Sequence, residues 1–198
     1  MEEGEITMPR KREPAIRTFA NELNRVMEIT KGDDQYDPTF AHTILERKVS
    51  RVLIAGVAIS VECNDMEKKE ADRSRYTLIV QDPTGKTYVR VDEYSPACLP
   101  FIRHLETPCY VKLVGKVRTF QPEENGRIFA SVKPEHMIKV EQADYVAWLN
   151  ESIKLAENHY KGLDSPLPEQ VSVFEKAMAD MRGFCDTATQ EAKQCLSV

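Results

Sequence analysis

From Val49 to about Val140 the apolar positions recur with a period of two, whereas on either side of that segment they step by three and four. Side chains alternate across an extended strand and return every 3.6 residues on a helix, so the two periods predict different elements. The central segment predicts strands over 49–62, 75–82, 86–92, 109–119 and 127–132, separated by turns. Between the second and third, Asp82-Pro83-Thr84-Gly85 places Pro where a type I turn favours it and Gly where a positive φ is needed. Those two strands are therefore expected to pair as a hairpin.

Between the third and fourth strands, Ser95 to Leu105 predicts a short helical insertion whose irregular start is marked by Pro96 and Pro100. Three strands, a helix and two strands is the order of an OB-fold, a small Greek-key barrel. Before the barrel, Ile16, Phe19, Ala20, Leu23, Val26 and Met27 predict a helix over 14–29, with Pro14 in its first turn and Gly32 just past its end. After it, Val146, Leu149, Ile153, Ala156 and Tyr160, then Val171, Phe174, Met178, Met181 and Cys185, predict two amphipathic helices divided by the Gly162–Pro168 break. The expected organisation is a charged mobile tail (1–12), an N-terminal helix and polar linker (13–48), a five-stranded OB barrel (49–140) and a C-terminal helical region (141–198). The class is mainly β.

The stretch VKLVGKVRTFQ, residues 111–121, carries Val111, Leu113 and Val117 on one strand face and Lys112, Lys116 and Arg118 on the other. Tyr110 and Phe120 share the cationic face, and on the third strand Lys86 and Arg90 share a face with Tyr88. Cations interleaved with aromatics suit a single-stranded nucleic acid, because phosphates take the charge while unpaired bases stack on rings. These eight residues are the candidate nucleic-acid surface. The competing interpretation is solvated decoration that protects strand edges from aggregation.

Charge changes the picture only locally. The formal net charge is -5, yet residues 49–140 hold 14 Lys/Arg against 12 Asp/Glu, whereas 141–198 hold 5 against 10. Counterion release acts within a Debye length of about 8–10 Å, so a local cationic track is enough to attract phosphate, but weakly when the total is acidic. The acidic run Asp65, Glu67, Glu70 and Asp72 lies in the first barrel loop, where it opposes tight independent binding.

The remaining chemistry is mostly exclusion. Five cysteines are scattered without a Cys-x-x-Cys pair, and four histidines without an HExxH spacing, so no metal site and no cofactor are expected. A phosphate-binding Gly-rich loop and a dinucleotide fingerprint are absent, which points away from an enzyme. Without a signal-like apolar stretch or a run of about 18–20 apolar residues, the expected location is the cytoplasm.

VKLVGKVRTFQ, followed by a polar turn and IFASVKPEHM, resembles the fourth and fifth strands of the middle subunit of replication protein A, as do Val52–Val57 and the Asp82–Gly85 turn. Over residues 14–160 the chain is similar to the archaeal replication protein A-associated proteins, with VRTFQPEE the most specific piece. The resemblance implies a non-catalytic accessory subunit of a single-stranded DNA-binding complex in replication and repair, assembled through C-terminal helices onto a replication protein A-like large subunit. On that basis Tyr145, Trp148, Leu149, Ile153, Phe174 and Met178 are the candidate partner-binding residues; the competing interpretation of the same stripes is an intramolecular helical hairpin packed on itself or on the barrel. Two alternatives stay open: an OB module that assembles the complex without touching DNA, and an RNA-binding barrel.

Overall fold

The structure is a computed structural model that describes residues 12–32, 38–64, 74–123 and 126–195. The expected tail at 1–12, most of the 31–38 link and the acidic run at 65–72 lie almost wholly outside these residues. Five strands form a closed barrel: β5 (Arg51–Cys63), β6 (Tyr76–Asp82), β7 (Gly85–Val91), β8 (Cys109–Phe120) and β9 (Phe129–Lys139), with α2 (Leu99–Arg103) between the third and fourth. The sheet runs β5-β6-β7-β9-β8, with β7 and β9 parallel, and closes through an additional β5–β8 pairing. This is the OB topology.

Closure depends on β5, which pairs with β8 over Arg51–Ala58 and with β6 over Val57–Cys63. At the crossover a Cβ on Gly56 would lie 2.5 Å from the Gln81 carbonyl oxygen, so only glycine lets the strands approach there. β9 runs seven residues further than the period-two pattern suggested, because a register shift accommodates Pro134 opposite Gly115 and leaves Glu135 as the extra residue. Glu135 then takes the Arg51 guanidinium at 2.5 Å. Inward residues of all five strands, among them Val52, Leu78, Val89, Val111 and Val132, fill the barrel.

The N-terminal segment differs from the expected 14–29 helix. It contains β1 (Ile16–Arg17), one helical turn α1 (Ala20–Leu23) and β2 (Val26–Thr30), and β2 joins β3 (Phe40–Thr43) and β4 (Lys48–Val49) in a second small sheet. Three tertiary contacts outbid the helix. Ile16 pairs with Val52 on the barrel edge, the Ala20 amide donates to the Asp82 carboxylate at 2.7 Å, and β2 pairs with β3. Val26, Ile29 and Thr30 are β-branched, so the pairing costs them little. Asp82 also accepts the Thr84 and Gly85 amides at 2.7 and 3.1 Å, which fixes the hairpin turn and the start of α1 at one carboxylate. Burial raises its pKa, opposed by these hydrogen bonds. Burial likewise raises that of Glu22, which accepts from the Thr43 hydroxyl at 2.8 Å and pairs with Arg47 at 3.1 Å.

The helices α3 (Gln142–Lys161) and α4 (Pro168–Cys195) pack against each other, and α3 lies against the outer face of β5 and the start of β8. Their stripes meet Phe19, Ile44, Leu45 and Ala55 in a second core. Trp148 is 2% exposed, edge-on to Phe19 at 6.2 Å, and Tyr160 stacks on Phe174 at 3.9 Å. Polar locks hold the layer down. The Gln170 amide donates to the Ile44 carbonyl at 2.9 Å, and a His159 ring nitrogen lies 2.8 Å from the Leu45 carbonyl oxygen.

This arrangement corrects the partner-binding assignment: Tyr145, Trp148, Leu149, Ile153, Phe174 and Met178 are all buried within the chain. The apolar residues of α3 do need cover, but here α4, Phe19, the β3–β4 turn and the outer wall of β5 and β8 supply it. Removing the indole in Trp148→Ala is therefore expected to destabilise the fold by about 3–5 kcal/mol, as for other buried large-to-small changes. Urea denaturation is the measurement. Gly56→Ala is expected to cost about 1–3 kcal/mol through overpacking against the backbone of β6, read from the same transition.

Candidate nucleic-acid interface

On β7 the alternation puts Thr87, Val89 and Val91 inside the barrel and Lys86, Tyr88 and Arg90 outside. On β8 it puts Val111, Leu113, Gly115 and Val117 inside and Lys116, Arg118 and Phe120 outside. The strand between them is β9, whose Val132 pairs with Val89 on one side and Val117 on the other, leaving Phe129 and Ser131 facing outward. Three outer faces thus meet where the helical layer does not reach.

They form a groove of about 500 Å³ lined by Tyr88, Arg90, Arg118, Thr119, Phe120, Phe129, Ala130 and Ser131. Phe120 and Phe129 are cross-strand partners, 66% and 45% exposed, and Tyr88 is 45% exposed. Arg127 lies over the Phe129 ring at 5.2 Å, which helps hold that ring at the groove mouth. Two guanidinium groups and three rings line the site, and none of the eight residues is acidic. Chemically this suits an extended anion with flat, unpaired rings: guanidinium groups take phosphates, and each stacked base contributes about 1–3 kcal/mol. A carboxylate-based metal centre is not built here. Among the described residues no group of three or more His, Cys, Asp or Glu is placed to hold a metal ion.

Of the eight residues expected from the sequence, the groove gathers Tyr88, Arg90, Arg118 and Phe120. Lys86 and Lys116 are exposed one alternation further along the same faces, at the groove margins. Lys112 is half-buried between Ala55, beneath the helices, and Ile138. Tyr110 is taken out of the set, because its ring packs 5.2 Å from that of Tyr145 on α3. Phe129 and Ser131 were missed. Their signal was present in the period-two spacing after a short polar turn, but their relation to Phe120 and Arg118 depends on the β8–β9 register.

No family model matches the chain, and no curated protein matches it. Solved structures similar to it include a chain of a replication protein A heterotrimer bound to single-stranded DNA, at 15% identity and a TM-score of 0.46, covering 74% of this chain and 98% of that one. The structure of yeast Stn1 and Ten1 gives 12% identity and a TM-score of 0.40, covering 67% and 65%. The mitochondrial single-stranded DNA-binding protein Rim1 of S. cerevisiae gives 12% and 0.36, covering 47% and 95%. At such identities and scores no residue of those proteins maps onto this chain, so function has to follow from the groove itself. Among the described residues no helix is long and apolar enough to cross a membrane.

Substitutions should separate the groove from its surroundings. Arg90→Ala and Arg118→Ala are expected to weaken oligonucleotide binding and to flatten its salt dependence by about 0.7 per lost phosphate contact, with stability changed by less than about 0.5 kcal/mol. Phe120→Ala is expected to weaken binding by about 1–3 kcal/mol at an unchanged salt slope. Tyr110→Ala should lower the melting temperature and leave binding by the folded protein unaltered. Fluorescence anisotropy over a salt series, with thermal melts of each variant, checks all three.

Proposed function

We propose that the chain binds single-stranded DNA in this groove and, without catalysis, protects and handles exposed strands in replication and repair, as a protein of the archaeal replication protein A-associated kind. The observation that carries this reading is the juxtaposition of three exposed rings with two guanidinium groups in an open groove whose lining contains no carboxylate. Duplex DNA hides its base faces and leaves the rings without partners, so the site favours unpaired strands.

The chain as a whole carries a formal net charge of -5, so its attraction for phosphate is short-ranged and readily screened. Weak binding alone suits an accessory subunit whose affinity is completed by a larger, replication protein A-like chain through effective concentration. Because the apolar stripes of α3 and α4 are buried against their own barrel, such a chain would dock on another surface.

Anisotropy titrations of labelled single-stranded DNA, single-stranded RNA and duplex DNA at low and physiological salt test the proposal. Single-stranded DNA is expected to bind measurably at low salt and to lose most of its affinity at physiological salt. Absence of binding at low salt would overturn it in favour of a protein-interaction module, and a clear preference for RNA or for duplex would overturn the assigned ligand.

A further inference from the structure

Just past the groove, beyond Arg90, the chain leaves β7 through Asp92 and Tyr94. Tyr94 is the most exposed large hydrophobic side chain among the described residues, at 74%, and it is not left to swing freely. The Asp92 carboxylate accepts the Tyr94 amide at 3.0 Å, and the same oxygen pairs with the Lys133 ammonium at 3.2 Å. That ammonium lies over the Tyr94 ring, 4.8 Å from its centre. Lys133 belongs to the groove's own strand. It stands two residues beyond Ser131 on the outward face of β9, directly across from the exposed Lys116 of β8. The groove face therefore continues into a fourth aromatic ring with its own cations.

Resting on the groove's assignment to single-stranded DNA, we propose that Tyr94 and Lys133 form a further nucleotide subsite, with Asp92 as the carboxylate that holds it in place and moderates its charge. Lys133 is four residues beyond Phe129, about 13 Å along the strand at roughly 3.3 Å per residue. A strand whose base stacks on Phe120 and Phe129 thus reaches Tyr94 a few nucleotides later, passing Arg118, Arg90 and Lys116. One carboxylate already occupies Lys133, so a phosphate must compete with Asp92 for it, which lowers the affinity this subsite contributes. An exposed tyrosine needs no such anchoring for stability. Pinning it beside a cation, in line with a groove of the same chemistry, is what a base-stacking platform requires.

The test uses the full chain with a twelve-nucleotide oligothymidine carrying one photoreactive 5-iodouracil, moved position by position, and maps the crosslinked residues by mass spectrometry. Crosslinks to Phe120 or Phe129 from one position and to Tyr94 from another a few nucleotides away are expected. Tyr94→Ala is expected to weaken binding at least about fivefold and Tyr94→Phe to bind as the wild type does, since stacking needs only the ring. Asp92→Asn keeps an oxygen for the Tyr94 amide but frees Lys133, so the dependence of log affinity on log salt should steepen by about 0.7. Crosslinks confined to Phe120 and Phe129, with Tyr94→Ala binding normally, would overturn the subsite and leave the groove standing. A lack of crosslinks at all three rings, with Phe120→Ala also without effect, would instead sink the groove.

Discussion

The molecule is organised by a single strand that serves two neighbours. β5 gives its first half to β8 and its second half to β6, and the handover at Gly56 leaves no room for a side chain between it and the Gln81 carbonyl. Without that close approach the sheet would open between β5 and β8. Further round the sheet β9 lies between β7 and β8 and pairs Val132 with both, which creates a shared outer face from strands that are distant in the chain. The groove is a consequence of that strand order.

The same strand sets where the helices go. Leu53 and Ala55 point outward from β5, and with Tyr110 on β8 they offer an apolar patch that α3 covers with Tyr145, Trp148 and Leu149. A barrel of this size has a modest interior, and adding a second core on its outer wall increases the buried apolar area considerably. The N-terminal unit is clamped into that seam by Asp82, by the Glu22–Arg47 pair and by Gln170. One side of the barrel is committed to stability, which leaves the groove side free for a ligand.

Charge follows the same division. Residues 141–198 carry twice as many acidic as basic side chains, and they lie on the helical side, while the groove contains arginines and no carboxylate. An acidic flank does not cancel a cationic track at distances beyond the screening length, but it discourages a polyanion from settling elsewhere on the surface. A net-negative protein can in this way keep one place for phosphate.

The amino-acid sequence by itself determined the barrel. Strict alternation in residues such as Val111, Leu113 and Val117, the Asp82–Gly85 turn and the strand-strand-strand-helix-strand-strand order leave few other ways to bury the apolar faces, because each strand has only two faces to choose between. It also determined which side chains of β7 and β8 point outward, and hence half of the groove. Tertiary structure alone decided the rest. Apolar spacing at 14–29 fits a helix as well as it fits contacts to three different neighbours, and only the Asp82 carboxylate and the β2–β3 pairing break that tie. Stripes on α3 and α4 say that something apolar covers them, and only the fold shows that the cover is each other, the N-terminal segment and the outer wall of the chain's own barrel. Tyr110 and Phe120 lie on one face of one strand, yet one is half-buried under α3 and the other lines the groove. Alternation specifies a side of the sheet, whereas exposure depends on what a residue far along the chain packs against it.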